Sequence, residues 1–275
     1  MCSPMPQRRE VASAHGPISF LEAGSGCPLL LLHGIGACAG AWQAQLAGLC
    51  GSYRVIAWDA PGYAASAPLA VSRPGPGDYA EALGALVAAT GLRRPHVVGH
   101  SLGAIVAAAW ATRDDADARS LLLASPARGY GASEPARRAA VYAERIAALE
   151  ALGIEGMAAA RASRLCAPGA PEAVVARVRN NMTRITPQGY RHAAQLLSQA
   201  VLPALLAKVR VPAAVLCGSQ DAVTPVAACA EVADALHTPL RILPGVGHAC
   251  YVEAPDAFNA ELLAFHRSID EHDHE

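Results

Sequence analysis

The run Val97-Val98-Gly99-His100-Ser101-Leu102-Gly103-Ala104 leaves the chain little freedom. An apolar strand ends at Gly99 and an alanine-rich helix starts directly after Ser101, so the reversal between them must be made in one or two residues. Such a turn is sharp and strained, and it closes only where small residues stand two before and two after its centre. It also lifts the Ser101 hydroxyl to the carboxyl end of a strand and the amino end of a helix, where free N–H groups favour negative charge. The surrounding sequence repeats the same short-strand, long-helix alternation, which predicts a parallel sheet covered by helices on both faces. Strands are expected at Arg9–Ala14, Ile18–Ala23, Leu29–His33, Tyr53–Asp59, His96–His100, Ser120–Ser125, Ala213–Gly218 and Leu240–Leu243. The first two are joined by His15-Gly16-Pro17 as an antiparallel hairpin. Helices are expected at Ala41–Cys50, Tyr79–Thr90, Leu102–Thr112, Val226–Leu236 and Pro255–Arg267.

From Pro126 to about Lys208 the alternation stops. The stretch is rich in Ala, Arg and Leu and is punctuated by Pro135, Gly153, Pro168 to Pro171 and Pro187. It is expected to form a helical cap, residues 126–208, over one edge of a core made by residues 1–125 and 209–275. The tail Asp270–Glu275 is charged and expected to fray. Of the 275 residues, 53% are hydrophobic and 16% charged, enough for a large core, and the formal charge of −1 argues against a nucleic-acid or membrane-surface partner. A small molecule is the expected partner. The eight cysteines form no Cys-x-x-Cys pair and are expected to be reduced, buried hydrophobes. Residues 1–10 lack the apolar stretch of a signal peptide and no run is long enough to span a bilayer, so the expected location is cytoplasmic.

A serine hydroxyl is a poor nucleophile at neutral pH and needs a base. Gly245-Val246-Gly247-His248 follows the last strand, so its loop opens at the same edge as Ser101, and the flanking glycines let the imidazole reach inward. A base of this kind needs a carboxylate to hold its tautomer. Asp221, in Gly218-Ser219-Gln220-Asp221 after the preceding strand, lies on that edge; it could instead cap the helix opened by Pro225. Leu29 to Leu32 followed by His33-Gly34-Ile35 places a second glycine-relieved turn there. The backbone N–H groups of Ile35 and Leu102 are the expected donors to an oxyanion. His100, on the strand beside the serine, is expected to point away from the pocket, and Trp42 and Trp110 to lie in the core.

These pieces, with Asp59-Ala60-Pro61-Gly62-Tyr63, resemble the α/β-hydrolase superfamily over nearly the whole chain. The resemblance implies an eight-stranded, mostly parallel sheet, a helical cap inserted after the sixth strand, and no need of a metal or cofactor. Serine at position 101 separates the chain from relatives with aspartate there, the haloalkane dehalogenases and epoxide hydrolases. In the cap, Gly153-Ile154-Glu155-Gly156-Met157, Asn181-Met182-Thr183 and Pro187-Gln188-Gly189-Tyr190 are similar to 3-oxoadipate enol-lactonases and carboxylesterase-like members. Two departures stand out: Ala64 follows Gly62-Tyr63 where relatives carry glycine, and Ala37-Cys38 replace small polar residues. The resemblance implies a serine hydrolase of a small ester or lactone working through an acyl-enzyme on Ser101. Arg161 and Arg164, with Arg128 and Arg145 behind them and His33 at the oxyanion turn, are its candidate substrate contacts, for a carboxylate-bearing product of aromatic breakdown. C–C bond hydrolysis of a vinylogous diketone, amide or formamide hydrolysis, and a ligand-binding receptor without catalysis stay open on the same framework.

Overall fold

The computed structural model describes residues 6–272. Eight strands form one sheet: β1 (Gln7–Val11), β2 (Ile18–Ala23), β3 (Cys27–Leu32), β4 (Tyr53–Trp58), β5 (His96–His100), β6 (Ser120–Ala124), β7 (Ala213–Gly218) and β8 (Leu240–Leu243). Their spatial order is β1-β2-β4-β3-β5-β6-β7-β8. β2 runs antiparallel to both β1 and β4, and every other pairing is parallel. Ten helices accompany them among the described residues: α1 (Gln43–Leu49), α2 (Pro76–Thr90), α3 (Leu102–Ala111), α4 (Pro135–Arg161), α5 (Glu172–Met182), α6 (Pro187–Gln199), α7 (Leu202–Leu206), α8 (Val226–Ala235), α9 (Cys250–Glu253) and α10 (Pro255–His272).

The two-residue side-chain period of a strand sorts the core into two halves. Leu29 to Leu32 are wholly buried. Leu30 and Leu32 face one core with residues of α2, α3 and α8, whereas Leu29 and Leu31 face the other with Trp42, Phe258 and Leu262. Burial on both faces explains why β3 reads as an unbroken leucine run. Trp42 and Trp110 lie in these cores, as expected.

Several boundaries differ from the sequence expectation. β1 sits at Gln7–Val11 rather than Arg9–Ala14, because its register is set by pairing with Ile18–Glu22. β3 starts at Cys27, and His33, Asp59 and Ser125 fall just past their strands. α2 begins three residues early: Pro76 fits the first helical position and the Asp78 carboxylate accepts the Gly75 N–H at 2.7 Å. α10 runs on to His272, so Asp270–His272 continue a helix instead of fraying; residues 273–275 lie outside the described residues. Six cysteines are free thiols. Cys50 is disulfide-bonded, contrary to expectation, and Cys2 lies outside the described residues.

Between β6 and β7 the chain forms α4 to α7 and no strand. This helical insertion is tied down at two places. Thr186 N–H donates to Gly62 O at 2.9 Å and Ala64 N–H to Arg184 O at 2.6 Å, docking the start of α6 on the loop after β4. Ala249 N–H donates to Leu165 O at 2.7 Å, docking the turn that follows α4 on the loop after β8.

A histidine pair lies in the sheet's α10 side. His96 and His266 stack with centroids 3.7 Å apart, held by Ser120 Oγ at 2.7 Å and the Tyr53 hydroxyl at 2.9 Å. Burial, with Arg119 nearby, pushes the His96 pKa down to about 4, and burial together with His96 and Arg119 pushes His266 to about 3. Both are therefore neutral in the fold, while in the unfolded chain they charge near 6.5. The unfolded state binds more protons below that pH, so stability falls as pH drops from about 6.5 toward 3. His266→Asn keeps a partner for Tyr53 and should flatten that fall by about one proton taken up on unfolding. Urea unfolding across this pH range measures it, and equal slopes in the two proteins would contradict it.

Candidate active site

Ser101 stands between β5 and α3 with φ 53° and ψ −113°, a conformation that side-chain-bearing residues rarely adopt. Close packing enforces it. A Cβ on Gly103 would come within 2.4 Å of Leu32 O, and one on Gly99 within 2.5 Å of Gly103 O. The spacing of Gly-x-Ser-x-Gly is thus a packing requirement, with the first turn of α3 pressed on the carbonyl end of β3. Ser101 N–H is satisfied by Ala124 O at 2.9 Å, and the serine lines a cavity of about 930 Å³.

The loops after β7 and β8 meet beside it. His248 Nδ1 donates to Asp221 Oδ2 at 2.9 Å, both side chains being almost wholly buried. Asp221 Oδ1 also accepts the Val223 and Thr224 N–H groups at 2.8 Å each, and Oδ2 the Thr224 hydroxyl at 2.8 Å. Burial alone would raise this carboxyl, but the bond and charge of His248 and the Thr224 donors outweigh it and hold the pKa well below the usual carboxylate range. Asp221 is therefore an anion, and its bond leaves Nε2 of His248 as the ring's accepting nitrogen. His248 and Ser101 line the same cavity, as do Ile35 and Leu102. Thr224 went unnoticed in the sequence; a loop aspartate announces a bond to the backbone two residues on, here Val223 N–H, but not the hydroxyl beyond it.

Three consecutive groups around His248 are pinned. Gly247 N–H donates to Glu253 Oε1 at 3.0 Å, His248 O accepts from His100 Nε2 at 2.9 Å, and Ala249 N–H reaches the helical insertion. Glu253 Oε2 also accepts the Ala167 N–H at 2.7 Å, so one carboxylate joins the insertion to the histidine loop. His100 does not point away from the pocket. It shares a sheet face with Val98, as strand alternation requires, but the His248 loop folds over that face and brings His100 into the cavity wall. Burial, reinforced by His248, lowers its pKa to about 3, so it stays a neutral donor.

Of the candidate substrate contacts, Arg161 and Arg164 line the cavity, as do Arg128 and Arg145. His33 does not. Its Nδ1–H donates to Gly34 O at 2.8 Å and its Nε2 accepts the Ala60 N–H at 3.0 Å, spending both nitrogens on main chain. The Gly34 carbonyl belongs to the peptide that carries the Ile35 N–H, so His33 fixes the plane of that peptide. The Tyr63 hydroxyl, donating to Ile35 O at 3.0 Å, fixes the next one. Among the described residues, no group of three or more His, Cys, Asp or Glu side chains is arranged to hold a metal ion.

The model of the alpha/beta hydrolase family matches residues 29–261. The chain belongs to that family. It is 30% identical to a pimeloyl-[acyl-carrier protein] methyl ester esterase of Chromobacterium violaceum, over 92% of this chain and 97% of the relative. It is 29% identical to a Shigella flexneri protein named "putative carbamate hydrolase RutD", over 86% of this chain and 89% of the relative. The crystal structure of the enol-lactonase from Burkholderia xenovorans LB400 superposes with a TM-score of 0.82 at 22% identity, covering 94% of this chain and 99% of the other, which shows a shared fold. The protein is a hydrolase of that family, and none of its helices among the described residues is long and apolar enough to cross a membrane.

The His33 clamp is testable apart from turnover. His33→Leu strands the Ala60 N–H and Gly34 O in a buried place and should cost about 2–4 kcal/mol of stability. Urea denaturation measures the loss. A fully stable variant with a raised KM would make His33 a substrate contact after all.

Proposed function

We propose that the protein is a serine hydrolase that cleaves a small ester or lactone through an acyl-enzyme on Ser101. The observation carrying this reading is that His248, bonded at Nδ1 to the buried Asp221, lines one cavity with a serine held at positive φ. Nε2 of His248 takes the proton of the Ser101 hydroxyl as its oxygen attacks the carbonyl carbon. Asp221 keeps the ring in the Nδ1–H tautomer and offsets the charge of the imidazolium. The N–H groups of Ile35 and Leu102 hold the oxyanion, each worth roughly 10²–10³ in rate. As the intermediate collapses, the imidazolium returns its proton to the leaving oxygen. Water, deprotonated by the same nitrogen, then attacks the acyl-enzyme, and the imidazolium returns that proton to the Ser101 oxygen as the acid is freed.

The helical insertion, residues 126–208, is read as a cap that walls the cavity over Ser101, since Arg128, Met157, Arg161, Leu165 and Tyr190 supply much of its lining. Its ties to the His248 loop keep cap and base in register. A carbamate or amide is the second reading, favoured by the relative named for carbamate hydrolysis, and it uses the same acylation step.

Purified protein is expected to turn over p-nitrophenyl esters or an enol-lactone faster than simple amides. Ser101→Ala should lose at least about 10³-fold in kcat, and Asp221→Asn about 10²- to 10⁴-fold with little change in KM. Turnover that survives Ser101→Ala would overturn the reading, and faster cleavage of amides or carbamates than of esters would promote the second one.

A further inference from the structure

The charge on the cavity wall is one-sided. Arg128, Arg145, Arg161 and Arg164 all line it, and among the described residues no aspartate or glutamate does. Two of the four are accounted for by solvent: Arg128 is exposed and pairs with Glu231 at 2.5 Å, and Arg164 is exposed. Arg145 and Arg161 are half-buried. Neither has a carboxylate within ion-pair distance among the described residues. Arg161 Nη1 donates to the buried Tyr190 hydroxyl at 3.0 Å, which orients the guanidinium and leaves most of its five N–H groups unspent. Arg145 makes no side-chain hydrogen bond among the described residues.

The two lie on one helix but far apart along it. On an unbroken helix, at about 1.5 Å per residue, their Cα atoms would stand about 24 Å apart. Gly153 lies between them with φ 64° and ψ −176°, and α4 breaks there. The space around Gly153 is open, so the glycine is required by its dihedral angles and not by crowding. Arg145 before the break and Arg161 after it line a single cavity. The rest of that wall is largely apolar, including Ile154, Met157 and Leu197, so the field of two unpaired guanidinium groups is poorly screened.

We propose that Arg145 and Arg161 form an anion subsite, and that the substrate is an ester or lactone bearing a free carboxylate. This rests on the Ser101 hydrolase reading and adds the chemistry of the substrate's far end. A carboxylate is the match because its two oxygens accept the parallel N–H pair of a guanidinium, and because it supplies the counter-charge the wall lacks. The subsite binds a part of the substrate remote from the scissile bond. Its loss therefore falls chiefly on KM.

The test compares monoethyl succinate, glutarate and adipate with the matched neutral ethyl esters in which a methyl ketone replaces the carboxylate. At least one half-ester should exceed its ketone in kcat/KM by about tenfold or more. Arg145→Met and Arg161→Met should each cut that ratio by about tenfold, and Arg161→Lys should restore part of it. Glutarate should inhibit neutral-ester hydrolysis competitively in the unaltered protein, a readout that depends on no variant folding. Ratios near one for all three pairs, or ratios indifferent to both methionine variants, would overturn the subsite. Ser101→Ala run alongside separates the two levels. Ser101-dependent hydrolysis without anion preference removes the subsite and leaves the hydrolase standing, whereas hydrolysis that persists without Ser101 removes both.

Discussion

The first turn of α3 lies so close to the end of β3 that the Gly103 Cα has no room for a side chain beneath it, and Ser101 is left at φ 53° as the only way to join β5 to that helix. The strain of such a residue is of order 1–3 kcal/mol and persists because its surroundings over-determine it. Here the surroundings are the sheet itself. Leu32, His33 and Ala124, from the strands on either side of β5, supply the carbonyls and the contacts that fix the turn. The hydroxyl is presented at the sheet's carboxyl edge, where the loops after β3, β7 and β8 also end. Position, more than reactivity of any one group, makes the site.

Those loops are not free to wander. The peptide of Ile35 is gripped on one side by His33 and on the other by Tyr63. The His248 loop is gripped by Glu253, His100 and the turn that follows α4. The helical insertion is a party to both arrangements, since it docks beside Tyr63 at Thr186 and beside His248 at Leu165 and Ala167. A shift of the insertion would thus be felt at His248 and at the Ile35 peptide together. The same insertion carries Arg145 and Arg161, so the elements that shape the cavity also give it its charge.

Much of this was legible in the sequence because the signals were local. Gly-x-Ser-x-Gly, Gly-x-Gly-His and the aspartate after β7 each announce a backbone shape within a few residues, and chain order places them on one edge. The leucine run of β3 and the break in alternation after Ser125 are of the same kind. What the sequence withheld depends on contacts between distant segments. His100 obeys strand alternation, yet a loop nearly 150 residues later folds over its face and turns it into cavity wall. His33 has the same neighbours in sequence whether it meets substrate or main chain, and only the position of Ala60 decides. β1 slipped by two residues because its partner strand, not its own pattern, sets its register.

The most direct test of the account is the site of covalent attachment. A fluorophosphonate added to the purified protein should modify Ser101 alone, found by mass spectrometry of the tryptic peptides. Replacing His248 with alanine should slow that reaction by at least about 10³-fold, since the hydroxyl then lacks its base. Labelling at another residue, or equal rates with and without His248, would contradict the central claim that this strained serine is the nucleophile.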